Sequence, residues 1–235
     1  MDHVAILRHE TRNLVPRFPY RPHSTALLII DMQRYFTQPG STFMRLSATR
    51  IPDGGIKRYI ERLDALVIPN IRKLQWAFRK NGDPVLYTRL GSHRPDGTDL
   101  PAWARRLNEA GRAAFGSPVL PCFDDSSTQL DERIMSRPDE PVLSKTTTGA
   151  LASSSLEVDL RARGVTSVVV AGVLSALCVS QTARELSDRD FEVALVEEAC
   201  ASLTETAHEA ALAAFSAMYG WVPSMEEMIA AINGQ

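Results

Sequence analysis

The chain has 235 residues, 44% hydrophobic and 23% charged, with a formal net charge of −2. That length and mix suit one substantial globular domain around a single core. The near-neutral balance gives no electrostatic reason to expect nucleic acid or an anionic membrane as a partner, and no apolar run approaches the roughly 18 residues that span a bilayer.

Residues 1–24 read as an N-terminal arm ending in FPYRPHS, where prolines oppose regular structure. This stretch is charged and lacks the apolar core of a signal peptide, so a cytoplasmic protein is expected. Residues 25–235 then read as a single domain. Its first apolar run is TALLIID (25–31). A helix follows over 68–82, with Pro69 near its start, Gly82 at its end, and Ile71, Leu74 and Phe78 at helical spacing. PVLYTR (84–89) is the second apolar run. Residues 90–125 break the rhythm, and a connection this long is often a lid or an assembly element. PVLSK (141–145), a serine-led helix over 153–164, TSVVVAG (166–172), FEVALVE (191–197) and an alanine-rich helix over 203–220 with a Thr204 cap complete the pattern. The strands are continuous apolar runs rather than alternating ones, as expected when both faces of a parallel sheet are covered. Alternating strands and helices predict an α/β fold with a parallel sheet and right-handed crossovers.

Parallel α/β sheets place their sites beyond the carboxyl ends of the strands. The first strand ends at Asp31, the third at Lys145, and Cys178 falls where the helix after TSVVVAG begins. Taken singly, Cys178 reads as a buried structural thiol, Asp31 as a turn or cap residue and Lys145 as a surface charge. An acid, an amine and a thiol at one sheet edge favour chemistry instead. A thiol becomes a good nucleophile when ionised, and a helix N-terminus lowers its pKa. A carboxylate beside it can accept the proton and pass it to a departing amine. A lysine can hold that carboxylate ionised and favour the thiolate. Backbone N–H groups in the turn can bind an oxyanion, worth roughly 2.7–4 kcal/mol per donor. The other two cysteines, Cys122 and Cys200, form no CxxC pair with Cys178 or each other, and the odd total argues for a reducing compartment without a disulfide framework.

The segments LLIIDMQRYF (27–36), SKTTTGAL (144–151) and AGVLSALCVSQTAREL (171–186) resemble the three signature segments of the isochorismatase-like cysteine hydrolase superfamily. The likeness runs in register from about residue 24 onward. It implies a Rossmann-like, three-layer α/β/α fold with a six-stranded, mainly parallel sheet. It also implies a catalytic trio of Asp31, Lys145 and Cys178, with Cys178 attacking an amide carbonyl to give a thioester that water hydrolyses. A cis peptide at Val173–Leu174 and an oxyanion hole from the N–H groups of Leu174 and Cys178 belong to the same implied site. Related enzymes commonly form dimers or tetramers, so a homo-oligomer is expected.

Superfamily members that act on a vinyl ether lack the cysteine, so Cys178 favours C–N hydrolysis. The metal-binding branch carries several nearby histidines, whereas YTRLGSHRPDGTDLP (87–101) offers only His93. No metal and no other cofactor are therefore expected. That segment most resembles the biuret and triuret hydrolases, and the motifs as a whole the amidohydrolase branch that also includes ureidoacrylate hydrolases. Two places depart from the family pattern. Leu174, Ser175, Ala176 and Leu177 replace a smaller, more polar set, and Leu151 stands where phenylalanine is common. Position after the strands makes Phe36, Arg89, Leu151, Leu174 and Ser175 pocket candidates, with Arg89 able to pair a carboxylate or carbonyl. Trp103 in the long connection could reach a pocket or a neighbouring subunit. The expected activity is cysteine-dependent cleavage of a small linear amide, carbamoyl or ureido compound. The alternatives are hydrolysis of a non-amide substrate, a silent binding or assembly subunit, or a thiol redox sensor.

Overall fold

The computed structural model describes residues 17–51 and 54–234. Five strands, β1 (Thr25–Ile30), β2 (Val85–Leu90), β3 (Val142–Lys145), β4 (Ser167–Val173) and β5 (Glu192–Ala201), form one sheet. Their order is β3-β2-β1-β4-β5, and every neighbouring pair is parallel. The helices are α1 (Arg34–Thr37), α2 (Thr42–Ala48), α3 (Gly55–Arg62), α4 (Ile68–Asn81), α5 (Ala102–Phe115), α6 (Leu156–Ala162), α7 (Ser180–Ser187), α8 (Glu205–Ser216) and α9 (Met225–Ile232).

Every residue of β1 and of β4 is buried. Successive side chains of a strand point to opposite faces, so burial of both sets means that helices cover the sheet on both sides. On α4 the expected helical stripe is the buried one, carrying Ile71, Leu74 and Phe78, and Gly82 ends the helix in the left-handed region at φ 73°. Thr204 caps α8, its hydroxyl accepting the Ala207 N–H at 3.2 Å.

The sheet has five strands, not the six implied by the family resemblance. All five are the apolar runs read from the sequence. Beyond β5, Trp221 makes an isolated bridge, donating to the Val193 carbonyl at 2.9 Å and accepting from the Leu195 N–H at 2.8 Å, and the Pro223 carbonyl accepts the Glu197 N–H at 3.3 Å. Pro223 has no N–H to return that bond, and Ser224 already caps α9.

The long connection is folded rather than slack. It contains α5, and buried Asn108 ties the returning chain back, donating to the Leu120 carbonyl at 3.0 Å and accepting from Val119 and Leu120 at 3.0 and 2.7 Å. Of the expected arm, residues 1–16 lie outside the described residues. Its remaining part is seated on the fold: Phe18 stacks on Trp221 at 5.8 Å, and Asp83 accepts from the Tyr20 hydroxyl and the His23 N–H. Among the described residues no helix is long and apolar enough to cross a membrane.

Candidate active site

β1 ends at Ile30, and Asp31 adopts φ 50°. That left-handed conformation is unusual for a residue with a side chain, and it turns the carboxylate off the sheet edge. β2 fixes it there. The Asp31 N–H donates to the Thr88 carbonyl at 3.1 Å, and the Thr88 hydroxyl donates to Asp31 Oδ1 at 2.7 Å. Two residues on, the buried Gln33 amide grips the end of β2, accepting the Leu90 N–H at 2.7 Å and donating to the Leu90 carbonyl at 2.9 Å. The Tyr35 hydroxyl donates to the same carbonyl at 2.9 Å. Leu90 is the register partner of Lys145, so the segment after β1 also helps to place the lysine.

Lys145 is fully buried. Its Nζ lies 2.8 Å from Asp31 Oδ2 and 3.4 Å from Cys178 Sγ, and donates to the carbonyls of Thr147 and Thr148 at 2.9 Å each. The loop bearing those carbonyls is pinned by α7. The Ala150 N–H donates to Thr182 Oγ1 and the Leu151 N–H to Glu185 Oε2, both at 3.1 Å. One helix thus follows the thiol and also anchors the loop that holds the ammonium.

The thiol arrives from β4. Gly172 sits at φ 117°, and a Cβ there would lie 2.2 Å from the Ile30 carbonyl oxygen; only glycine lets β4 lie against β1 at this point. The Val173–Leu174 peptide is cis. The next residues, Ser175–Val179, form a wide π-helical turn. In it the Leu174 carbonyl accepts from Leu177 at 2.9 Å and Val179 at 3.2 Å. Cys178 lies in this turn, ahead of the regular helix.

The electrostatics depart from expectation in one respect. Burial pushes the Cys178 thiol up to about 12; Lys145 opposes the rise and the Asp31 charge adds to it. The helix start and the lysine were expected to lower it, but in a dry site the cost of removing water from a thiolate exceeds both. Burial also disfavours the Lys145 ammonium, yet Asp31 and Cys178 outweigh this and hold it above its ordinary value. The resting site therefore pairs a thiol with a charged ammonium. Asp31 Oδ2 is buried and faces the Lys145 ammonium at 2.8 Å, a charge-assisted contact.

Of the five pocket candidates, Leu174 and Ser175 lead into the turn that carries Cys178, whereas Arg89 is directed away from Lys145. Phe36 is buried in an aromatic cluster with Tyr35 and Phe43, at 4.2 and 4.7 Å between ring centres. Arg89 pairs in register with Ser144 whereas Leu90 pairs with Lys145, so alternation sends Arg89 and Lys145 to opposite faces. There Arg89 donates to Ser144 Oγ at 2.9 Å and lies over the Phe123 ring at 4.7 Å. Leu151 is half-buried against the core. Leu174 and Ser175 are buried, and Ser175 bonds to Ser202 and His208. Leu177, beside the nucleophile, is 53% exposed and Trp103 40%. His93 meets the edge of Phe123, its N–H held by Asp99.

Several supporting residues escaped the sequence reading. Thr88 had a signal, a small hydroxyl side chain near the end of β2. Gln33, Thr182, Glu185 and His208 had none, because their partners are 32 or more positions away along the chain. The carbonyls of Thr147 and Thr148 have no side-chain signature at all.

A buried thiol, ammonium and carboxylate in contact at the carboxyl edge of a parallel sheet define the class of α/β cysteine hydrolases. Within it, the chain belongs to the isochorismatase family: the isochorismatase-domain family model matches residues 25–227. Among its relatives is the ureidoacrylate amidohydrolase RutB of Methylobacterium radiotolerans, 27% identical over 219 residues, which are 90% of this chain and 81% of that one. N-carbamoylsarcosine amidase of an Arthrobacter species is 25% identical over 177 residues, 74% of this chain and 58% of that one. The crystal structure of a cysteine hydrolase from Pseudomonas syringae pv. phaseolicola 1448A superposes with a TM-score of 0.76 at 21% identity, covering 94% of this chain and 97% of that one. This last likeness bears on the fold.

Proposed function

We propose that the protein is a cysteine-dependent amidohydrolase that cleaves a C–N bond of a small linear amide, carbamoyl or ureido compound through a thioester. The observation that carries this reading is the contact of Lys145 Nζ with both Asp31 Oδ2 and Cys178 Sγ. The named activities of RutB and of N-carbamoylsarcosine amidase support the choice of an amide.

In this mechanism the resting thiol stays protonated until substrate arrives. As Sγ attacks the carbonyl carbon, its proton passes to Asp31, the carboxylate that shares the Lys145 ammonium with the thiol. Lys145 stabilises the negative charge as it moves from carboxylate to sulfur. The N–H groups of Leu174 and Cys178 receive the carbonyl oxygen as it becomes an oxyanion. Asp31 returns the proton to the leaving nitrogen, and ammonia or an amine departs. Water then attacks the thioester; Asp31 takes a proton from that water, and one proton returns to the departing sulfur. Thr88 keeps Asp31 Oδ1 occupied throughout, so the carboxylate does not rotate. The raised thiol pKa disfavours a redox sensor, which needs a standing thiolate.

The test is ammonia release from a panel of small amides, carbamoyl compounds and ureido acids, with Cys178→Ala alongside. Release by the native protein, its loss in the variant, and an acyl adduct on Cys178 by intact mass are expected. Unchanged release in Cys178→Ala would overturn the assignment of the nucleophile.

A further inference from the structure

Behind the nucleophile turn lies a chain of polar contacts that the trio does not use. Arg62, the last residue of α3, places Nη2 2.9 Å from His208 Nε2. His208 Nδ1 lies 2.8 Å from Ser175 Oγ. The Ser175 hydroxyl donates to Ser202 Oγ at 3.1 Å, and Ser202 Oγ accepts the Ala176 N–H at 2.8 Å. Four segments meet here: the end of α3, the body of α8, and the residues after β4 and β5. His208 is 1% exposed and Ser175 fully buried.

The direction of these bonds follows from the donors available. A guanidinium has no acceptor, so the bond to Arg62 requires a lone pair on His208 Nε2. The ring proton then sits on Nδ1 and donates to Ser175. Ser175 in turn points its own proton at Ser202, which accepts a backbone N–H of the nucleophile turn. Arg62 is itself anchored, lying 3.6 Å from Glu205 and 3.4 Å from the Cys200 carbonyl.

We propose that His208 is a positioning residue for the reaction of Cys178. Locked by Arg62 in its Nδ1–H form, it orients Ser175 and through it the turn whose N–H groups face the substrate oxygen. Leu174, before the turn, and Ala176 and Leu177 within it have no polar side chain to fix their own direction. Ahead of Cys178, Ser175 brings the polar side chain of this turn, and its hydroxyl is committed inward to His208 and Ser202. The proposal therefore moves Ser175 from the substrate pocket to the support behind it. It rests on the amidohydrolase reading only for its kinetic arm.

The experiment compares His208→Leu, His208→Asn and Ser202→Ala. Asparagine keeps an N–H donor near the position of Nδ1, whereas leucine keeps only volume. On an amide that the native protein turns over, His208→Leu should lower kcat about tenfold or more with KM within about threefold, the cost of misplacing reacting groups by a fraction of an ångström. His208→Asn should recover most of that loss. Hydrogen exchange of the Ala176 amide should speed up in His208→Leu and Ser202→Ala and stay slow in His208→Asn. Native kcat and native exchange in His208→Leu would overturn the proposal, as would equal impairment in both His208 variants. If His208→Leu does not fold, Ser202→Ala and His208→Asn decide. If the native protein hydrolyses no amide, the functional reading fails while the exchange measurements still decide the role of His208.

Discussion

Replacing Lys145 by methionine keeps a long, buried stem and removes its charge. Asp31 then remains in a dry site with no counter-ion, held by the Thr88 hydroxyl and its own backbone contacts and still beside Cys178. Breaking a buried pair from one side costs about 3–5 kcal/mol. For a chain of this size that lowers Tm by about 6–20 °C. The pH dependence distinguishes this from a simple packing defect. In the native protein the Lys145 ammonium lies above its ordinary value of 10.5, so its contribution is fully present below that pH and is lost only as pH rises through the folded value. Across pH 5–8 the native protein therefore draws a constant contribution from it. In Lys145→Met that contribution is absent at every pH, so the deficit against the native protein should be equal at pH 5 and pH 8 and narrow only above pH 10.5. Without the ammonium nothing stabilises the negative charge as it passes from carboxylate to sulfur, which predicts a rate loss of about 10²–10³. Urea denaturation at pH 5, 8 and 11, with ammonia release at neutral pH, measures both. Unequal deficits at pH 5 and pH 8, or turnover close to native, would refute the reasoning.

Thr88→Val removes the donor to Asp31 Oδ1 at nearly constant volume; it should cost about 1 kcal/mol of stability and lower kcat with little change in KM, read from urea curves and steady-state kinetics. Gly172→Ala places a Cβ 2.2 Å from the Ile30 carbonyl oxygen at φ 117°. Backbone strain and overlap should together cost at least about 3 kcal/mol, and a variant of native Tm would show that the two strands can part there. Cys178 and Cys200 are both pushed by burial from 9.0 to about 12. Their raised values contribute stability that is fully present below pH 9 and lost as pH rises toward 12, so Tm should decline across that window. Alkylation of Cys178 by iodoacetamide at pH 7–8 should be far slower than that of a free thiol peptide, and an equal rate would contradict the resting thiol.

The catalytic geometry shows where sequence patterning is informative. β1 and β4 are buried on both faces, so they are written as unbroken apolar runs, and their ends are marked by the first residues that are not apolar. Asp31 stands out for that reason and Lys145 as the charge that ends β3, and the rule that parallel sheets work at their carboxyl edge brings them beside Cys178. The buried stripe and the C-terminal end of α4 have local chemical causes in the helical period and Gly82, whereas helical backbone runs on through Pro69 from α3 by way of a π-helical turn at Leu63–Val67.

What the pattern could not carry was anything decided by a distant neighbour. The expected sixth strand shrinks to a bridge at Trp221 and one bond from Glu197 to the Pro223 carbonyl, because Pro223 lacks the donor that a strand pairing would need. Arg89 follows the second strand as expected, but register with Ser144 turns it away from Lys145. The sign of the Cys178 shift depends on how completely β1, β4 and the loop after β3 exclude water, which no local motif records. The four residues Leu174–Leu177 likewise divide into buried and exposed by packing alone, with Ser175 claimed by His208 from 33 positions away. Sequence alone determined the apolar strands and the reactive residues at their ends, because local composition and period are enough for these. Tertiary structure decided protonation, facing and support, because those depend on the water, charge and hydrogen-bond partners that folding gathers from the whole chain.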